Sequence, residues 1–220
     1  MAADAAMLKA VAAGGTPTMR WYRWSEPTIS LGRFQEDDPQ VEPSLPRVRR
    51  QSGGGAIRHD REWTYAIAIR RDGPLQQRPG DLYRIVHAAI IETIAAFGLA
   101  LSFRGVPAPD RDAAFLCYLR GDANDLLLPA GTKVVGSAQR RSGGAILQHG
   151  SILWHKPAAC DAVDGVELHG VGDLTSRIPP IAAATALLEN VSEEIAEALG
   201  LAARFGTGES RESNAPAQPT

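Results

Sequence analysis

Apolar residues recur at helical spacing in three segments of the chain. Asp81 to Phe97 carries one apolar stripe, with Asp81 as a predicted cap and a glycine directly after the segment. Ile181 to Leu199 carries a second stripe, and the preceding Pro179-Pro180 pair is typical of a helix start. Met1 to Ala13 is rich in alanine, leucine and lysine, which are strong helix formers. These patterns predict three helices, at the start, in the middle and near the end of the chain.

Short β-rich segments fill the intervals between the predicted helices. Alternation and turn residues predict strands at 19–24 and 28–33, paired around a turn at Glu26-Pro27, and at 48–50, 63–69, 100–103, 125–128, 132–135 and 145–154. The segments 125–128 and 132–135 are predicted to form a hairpin. Because the strands cluster without regular strand–helix–strand alternation, we predict an α+β fold. One domain is expected over residues 1–205, followed by a disordered tail over 206–220 that is rich in Gly, Ser, Pro and charge.

Composition narrows the possible functions. The chain has 220 residues, 44% of them hydrophobic, which is enough for one domain with a real core. A net charge of -2 predicts no nucleic-acid or membrane partner, and no apolar run approaches the roughly 20 residues of a membrane helix. No CxxC or HExxH motif occurs, so no metal site is predicted. Two cysteines, Cys117 and Cys160, do not suggest a disulfide framework, so the cytoplasm is expected, and either could be a buried apolar residue.

A glycine-rich segment follows the basic strand that ends at Arg49-Arg50. In Ser52-Gly53-Gly54-Gly55 the backbone can approach a ligand closely, and successive amides of such a loop can form a nest for an anion or a carbonyl. His59 adds a hydrogen-bonding group, and Arg49 and Arg50 could neutralise a phosphate or carboxylate. The structural alternatives are a tight turn between two strands, a surface histidine, and arginines that protect a sheet edge.

Polar residues also interrupt two apolar strands further along the chain. Lys133 begins a strand that is predicted to end at Gly136-Ser137-Ala138, where small side chains leave room for a ligand and backbone amides are expected to be unpaired. Gln148-His149-Gly150-Ser151 places polar groups within another strand, although an unpartnered buried polar group costs about 1–3 kcal/mol. The structural alternatives are a lysine that extends to water and a β-bulge at Gly150.

Three motifs in this order resemble the signature of the family that holds the lipoate–protein ligases and the cysteine-dependent octanoyltransferases. They are RRQSGGGAIRHD from Arg49, KVVGSAQRR from Lys133, and LQHGSIL from Leu147. The segment Trp21 to Gln35 is also similar to the first hairpin of that family, and the match extends from Met1 to about Trp154. The resemblance implies a class II synthetase/biotin ligase-like catalytic domain with a mixed β-sheet flanked by helices. It also implies a substrate-binding set formed by Arg49, Ser52, Gly53, Gly54, Gly55, His59, Gly136, Ser137, Ala138, His149, Gly150 and Ser151.

The resemblance further implies acyl-transfer chemistry. The octanoyltransferases pass octanoate from acyl carrier protein to a cysteine, and then to a lysine of a lipoyl carrier domain. In one subclass the cysteine precedes the lysine strand in a Cys-aromatic pair, and Cys117-Tyr118 resembles that layout; Cys160 follows the His149 strand as in another subclass, but without the Pro-Cys-Gly expected there. We therefore predict Cys117 as the catalytic nucleophile. Lys133 is predicted to favour its thiolate and to assist proton transfer.

Two other functions remain open. One is an ATP-dependent lipoate–protein ligase that works through lipoyl-adenylate with ATP and Mg; the Ser-Gly-Gly-Gly loop resembles many ligases, whereas the accessory C-terminal domain of many ligases is not seen. The other is a catalytically silent protein of lipoate metabolism that only binds an acyl chain or a lipoyl domain. For the transferase we expect no cofactor and a monomer. Its expected partners are acyl carrier protein and the lipoyl domain of a glycine-cleavage carrier or a dehydrogenase E2.

Overall fold

The structure of the protein is a computed structural model that describes residues 1–107, 115–157, 162–163, 166–202 and 210–212. For 162–163, 166–167 and 210–212 it describes only the backbone. Cys160 and most of the predicted tail lie outside the described residues. Within these ranges, no helix combines the length and the apolar character needed to cross a membrane.

The helices and strands alternate irregularly along the chain. The α-helices are α1 Ala2–Ala12, α2 Gly73–Gln77, α3 Asp81–Ala95, α4 Val171–Leu174 and α5 Thr185–Ala198, and 3₁₀ turns occupy Cys117–Leu119 and Ile181–Ala183. The strands are β1 Thr18–Trp24, β2 Thr28–Leu31, β3 Arg47–Arg49, β4 Ile57–His59, β5 Glu62–Arg70, β6 Ser102–Phe103, β7 Leu126–Leu127, β8 Lys133–Ser142, β9 Ala145–Leu153, β10 Ala162–Val163, β11 Val166–Glu167 and β12 Ser210–Glu212.

Seven strands form a mixed central sheet in the order β12-β1-β5-β9-β8-β7-β6. β1 and β12 run parallel, whereas the other neighbours in this sheet are antiparallel. β5 and β9 pair in continuous register from Glu62–Leu153 to Arg70–Ala145, so no bulge occurs at Gly150 and that alternative interpretation is wrong. The predicted hairpin of β7 and β8 is confirmed, and Gly131 in its turn adopts a φ of 85° that favours glycine.

Helices cover both faces of the central sheet, which confirms the predicted α+β fold with a mixed sheet flanked by helices. On one face, Trp63, Tyr65 and Ile67 of β5 belong to the large core that also contains the apolar stripes of α3 and α5. On the other face, Ala66 and Ala68 pack with α1, and their small side chains allow that helix to approach closely. The period of two along β5 therefore divides its side chains between two cores.

The predicted pairing of the first two strands is wrong. β1 belongs to the central sheet, while β2 lies in a separate three-stranded sheet in the order β3-β2-β4. β2 pairs in parallel with β3 and antiparallel with β4, and all four of its residues are buried. A strand buried on both faces needs partners on both edges for its backbone, and the chain supplies them from later segments. This small sheet carries the glycine-rich segment between β3 and β4.

Three predicted boundaries are corrected by the structure. Asp81 is the first residue of α3 rather than its cap, and its carboxylate pairs with Arg78 at 3.2 Å. The Pro179-Pro180 pair precedes a 3₁₀ turn, and α5 begins only at Thr185. β8 does not end at Gly136 but continues to Ser142, because β9 pairs with it along that whole length. Within the predicted tail, 210–212 form β12.

Candidate functional site

A cavity lies between the central sheet and the glycine-rich segment. It collects most of the residues that the motifs indicated: Gly53, Gly54, His59, Cys117, Gly136, Ser137, Ala138, His149, Gly150 and Ser151. Arg50, which was considered with Arg49, also lines the cavity, and the sequence interpretation missed three other lining residues, Met1, Ile57 and Thr64.

The glycine-rich segment is held by Arg50 rather than by Arg49. The guanidinium of Arg50 is buried and donates hydrogen bonds to Ser30, to the carbonyl of Gly53 at 3.2 Å and to that of Gly55 at 2.8 Å. Burial lowers the pKa of Arg50. Arg49 is exposed and donates instead to the carbonyl oxygens of residues 32, 33 and 35, away from the cavity lining. The expected placement of Arg49 at the substrate is therefore wrong, because adjacent strand residues face opposite sides.

Cys117 is anchored directly to the end of the glycine-rich segment. The amide of Cys117 donates to the carbonyl of Ala56 at 2.6 Å, and the amide of Ala56 donates to the carbonyl of Phe115 at 2.8 Å. Cys117 then begins a 3₁₀ turn and lines the cavity as a half-buried free thiol. Two motifs that are about 60 residues apart in the sequence therefore form one backbone-linked wall of the site.

Lys133 lies beneath Cys117 and is buried, so the alternative that it extends to water is wrong. Its Nζ lies 3.6 Å from the Sγ of Cys117, 3.2 Å from the Cys117 carbonyl oxygen and 2.9 Å from Oδ1 of Asp125. Burial alone would lower the pKa of Lys133, but the neighbouring Cys117 and Asp125 outweigh it and raise that pKa. The lysine is thus an ammonium at neutral pH.

Gly136 makes room for this lysine. A Cβ atom at position 136 would lie 2.7 Å from Cε and 3.0 Å from Nζ of Lys133, so the end of the lysine side chain would have to move if another residue replaced Gly136. The expectation of free amides at Gly136-Ser137-Ala138 is corrected in part, since all three residues pair with β9. In an antiparallel sheet, the backbone amides and carbonyls of alternate residues point toward one neighbouring strand and then the other. The pairing of β8 with β7 ends at Val135. Amides on that open edge can still face an oxyanion.

His149 is fixed in one orientation by α1. Its Nδ1 lies 3.3 Å from Oδ2 of Asp4, and its Nε2 is hydrogen-bonded to the hydroxyl of Ser52. Asp4 also accepts hydrogen bonds from Arg20 and Tyr22. Burial lowers the pKa of His149, so the neutral ring donates from Nδ1 and accepts from Ser52 at Nε2. Ser52 does not line the cavity, and it ties the glycine-rich segment to β9 instead.

A second histidine, His87 on α3, was not indicated by any motif. Its Nδ1 donates to the carbonyl of Asn124 at 2.6 Å, and its Nε2 accepts from the hydroxyl of Ser137. Ser137 in turn accepts from Tyr65, which accepts from Gln148 at 3.2 Å. The side chain of Ser137 therefore belongs to the face that packs on α3.

We expect stability to fall steeply in mild acid because His87 is buried in its neutral form. Burial lowers the pKa of His87 from 6.5 to about 4. Between pH 6.5 and pH 4, His87 is protonated in the unfolded chain but not in the folded chain. Its contribution to the free energy of unfolding is therefore complete above pH 6.5 and is lost as the pH falls toward 4. The loss amounts to about 3 kcal/mol, or roughly 6–12 °C in Tm. His87→Gln should flatten Tm measured between pH 7 and 4.5, and an unchanged slope would contradict this assignment.

The placement of the other indicated residues completes the site. Gly55 lies outside the cavity lining, under the side chain of Arg120, where a Cβ would come within 2.5 Å of Nε. Gly54 has a φ of 96° that favours glycine. Lys133 lies behind the wall, in contact with Cys117. Among the residues that the structure describes, no three His, Cys, Asp or Glu side chains cluster in a way that could hold a metal ion.

Comparisons with known proteins agree with this geometry. The family model for the lipoyl protein ligase A/B catalytic domain matches residues 1–158. Octanoyltransferase LipM of Moorella thermoacetica is 39% identical over 165 residues, covering 70% of this chain and 59% of that protein. Octanoyltransferase LipM of Kyrpidia tusciae is 32% identical over 235 residues, covering 95% of this chain and 85% of that protein. A Thermoplasma acidophilum protein described as a lipoate protein ligase has been solved with bound lipoic acid. Its structure matches this chain with a TM-score of 0.66 and 19% identity, and the match covers 96% of this chain and 85% of that chain.

The extent of these matches shows the family of the chain but not the function of the whole protein. The chain spans about 60% of the length of several of the curated relatives that it matches, and the structural neighbour supports the fold alone at its low identity. The family model covers well over half of the chain, and it includes the glycine-rich segment, Cys117, Lys133 and the His149 strand. The chain therefore belongs to the lipoyl protein ligase A/B catalytic domain family.

Proposed function

We propose that the protein is an octanoyltransferase that carries the acyl group on Cys117. The observation that carries this proposal is the thiol of Cys117 at the cavity, 3.6 Å from the buried ammonium of Lys133. A thiolate is the nucleophile in acyl transfer, and an adjacent cation is the usual way to favour it. The curated relatives named octanoyltransferase LipM support the same chemistry.

The reaction proceeds in two acyl transfers. The Cys117 thiolate attacks the carbonyl of an octanoyl thioester on acyl carrier protein, the carbon–sulfur bond to the carrier breaks, and the departing carrier thiolate takes a proton from Lys133. A lysine amine of a lipoyl carrier domain then attacks the Cys117 thioester, forming an amide and releasing the Cys117 thiolate. The acceptor lysine enters as an ammonium and loses two protons in the reaction. One proton returns to Lys133, and the other leaves to solvent. Exchanging a thioester for an amide needs no ATP.

The proposal also covers partners and location. A solved archaeal lipoylation system pairs a bipartite lipoate protein ligase with its E2 lipoyl domain, which supports a lipoyl domain as the acceptor here. The acceptor would be the lipoyl domain of a dehydrogenase E2 or a glycine-cleavage carrier. A catalytic thiol needs a reducing compartment, which is consistent with the cytoplasm. We take the monomer as the working state.

The test is intact-protein mass spectrometry after mixing with octanoyl–acyl carrier protein in the absence of ATP. Wild type and the matched control Cys160→Ala should gain an octanoyl group that hydroxylamine removes, because hydroxylamine cleaves thioesters, while Cys117→Ala should gain none. No adduct on wild type would exclude the Cys117 thioester. An adduct that depends on Cys160 would assign the reaction to the other cysteine.

The two alternatives give different results in the same assay. An ATP-dependent lipoate–protein ligase would modify a lipoyl domain only when ATP, magnesium and lipoate are added, and Cys117→Ala would leave that reaction intact. A silent binding protein would retain octanoate or a lipoyl domain without forming any covalent product. The close contact between Cys117 and Lys133 favours the transferase, since neither alternative requires a thiol beside an ammonium.

A further inference from the structure

Glu62, at the first position of β5, is a buried carboxylate with an unusual set of partners. It is 1% exposed. It accepts hydrogen bonds from Nδ1 of His59, from the hydroxyl of Thr64 at 3.1 Å and from the hydroxyl of Tyr118 at 2.9 Å. Among the described residues, no lysine or arginine forms an ion pair with it. Such a carboxylate depends on all three donors, because an uncompensated buried charge is costly.

The three donors come from three different walls of the cavity. His59 and Thr64 line it from β4 and β5, and Tyr118 follows Cys117 in the 3₁₀ turn. The ring of His59 is fixed further, because its Nε2 is hydrogen-bonded to Ser30 at 2.6 Å and its face stacks on Trp24. Glu62 therefore joins the nucleophile turn to the walls opposite it, together with Ser151 of β9, which is also hydrogen-bonded to Tyr118.

Tyr118 acts as a donor in this arrangement. Burial and the adjacent carboxylate of Glu62 raise the pKa of Tyr118, so its hydroxyl keeps its proton. The backbone of the turn is held by the amide of Cys117 on the carbonyl of Ala56 and by Lys133, whose Nζ contacts both the carbonyl oxygen and the sulfur of Cys117. The Tyr118 bond to Glu62 gives a second, side-chain restraint on the direction of the thiol.

We propose that Glu62 is the positioning residue of this site, and that it holds the sulfur of Cys117 against the Lys133 ammonium through Tyr118. This inference concerns the same site as the proposed acyl transfer and rests on it for the kinetic part of the test. Loss of the Tyr118 restraint lets the thiol move away from the ammonium. The site then keeps its cavity but contains a less reactive sulfur.

The test uses Tyr118→Phe and Glu62→Gln in a Cys160→Ala background, so that Cys117 is the single thiol. Tyr83→Phe is the matched control, since Tyr83 is a largely buried tyrosine on α3 that contacts the backbone of Gln139 rather than Glu62. The rate of Cys117 alkylation by iodoacetamide is measured from pH 6 to 9. Octanoyl transfer gives kcat and KM, and Tm reports stability.

We expect Tyr118→Phe to slow alkylation at pH 7 by roughly tenfold, because small misplacements of a reacting group carry large rate costs. Its pH profile should move to higher pH, kcat should fall while KM for the donor stays near that of wild type, and Tyr83→Phe should match wild type in all of these. Glu62→Gln should show at least the same loss; if it does not fold, Tyr118→Phe decides alone.

Two results would overturn the inference. Alkylation of Tyr118→Phe at the wild-type rate and with the wild-type pH profile would show that Glu62 supports the fold only, whatever the change in Tm. An equal loss in Tyr83→Phe would show that any buried hydroxyl has the same effect. If no variant accepts octanoate but alkylation still separates Tyr118→Phe from Tyr83→Phe, the positioning role stands and the proposed acyl transfer fails.

Discussion

Lys133→Met should slow acylation of Cys117 by roughly 100- to 10,000-fold, the usual contribution of a positioned acid–base group. Methionine keeps an unbranched chain of similar length beside Gly136 but removes the ammonium that lies 3.6 Å from the thiol. Both the attacking thiolate and the departing carrier thiolate lose their stabilising proton donor. The measurement is the rate at which octanoyl–acyl carrier protein forms the adduct, followed by quenched mass spectrometry.

The control must separate lost chemistry from lost stability. Lys133→Met leaves Asp125 as a buried carboxylate without its lysine partner, and breaking a buried ion pair costs about 3–5 kcal/mol. Arg104 remains 3.7 Å from Asp125 and compensates its charge only in part. The double variant Lys133→Met/Asp125→Asn removes that charge, so Tm should recover in large part while acylation stays slow. Recovery of the acylation rate together with Tm would mean that Lys133 serves the fold and not the reaction.

The helices and most strands follow from the sequence because burial imposes a period. The stripe of Asp81 to Phe97 becomes α3, with an end displaced by only two residues, and the alternation at 63–69 becomes β5. Strand partners do not follow in the same way. The apolar pattern of β2 does not show whether its neighbours are β1 or β3 and β4. The pairing depends on which strand edges the fold of the whole chain brings next to β2.

The site follows from the sequence only as far as its motifs extend. The glycine-rich segment, Cys117 and the His149 strand come together as the motif resemblance implied. The sequence did not show which of the two adjacent arginines faces the cavity. A strand of three residues is too short for its alternation to indicate which positions point inward. Asp4, Glu62 and His87 were missed for a different reason. Asp4 and His87 are isolated polar residues within apolar patterns, Glu62 ends a run of charged residues, and each has at least one partner that is distant in the sequence.

These missed residues share one physical function. Each satisfies a polar group that would otherwise be buried without a partner: Asp4 orients His149, Glu62 holds His59 and Tyr118, and His87 accepts from Ser137. Lining side chains such as His149 and His59 are thus oriented by residues in the layer behind them, and the charged pair of Lys133 and Asp125 also lies behind the lining.

Gly32→Ala should disable the site through the backbone, with a loss of about 2–3 kcal/mol in stability, or roughly 5–10 °C in Tm. A Cβ at position 32 would lie 3.0 Å from the carbonyl carbon of Gly54 and closer still to its oxygen. A backbone carbonyl cannot rotate away as a side chain can. The glycine-rich segment must therefore shift, and Ala56, which carries the amide contact to Cys117, must shift with it.

Gly53→Ala is the matched control for stability, since a Cβ there meets nothing within 4 Å and its φ is not positive. Thermal unfolding of the two variants should therefore differ by most of the expected loss, although both changes add one methyl group to the same loop region. Alkylation of Cys117 by iodoacetamide should also slow in Gly32→Ala, because the thiol is placed by the displaced segment. Equal Tm values for Gly32→Ala and Gly53→Ala would mean that the glycine-rich segment can shift without a loss of stability. The close approach of Gly32 to Gly54 would then have no part in placing the nucleophile.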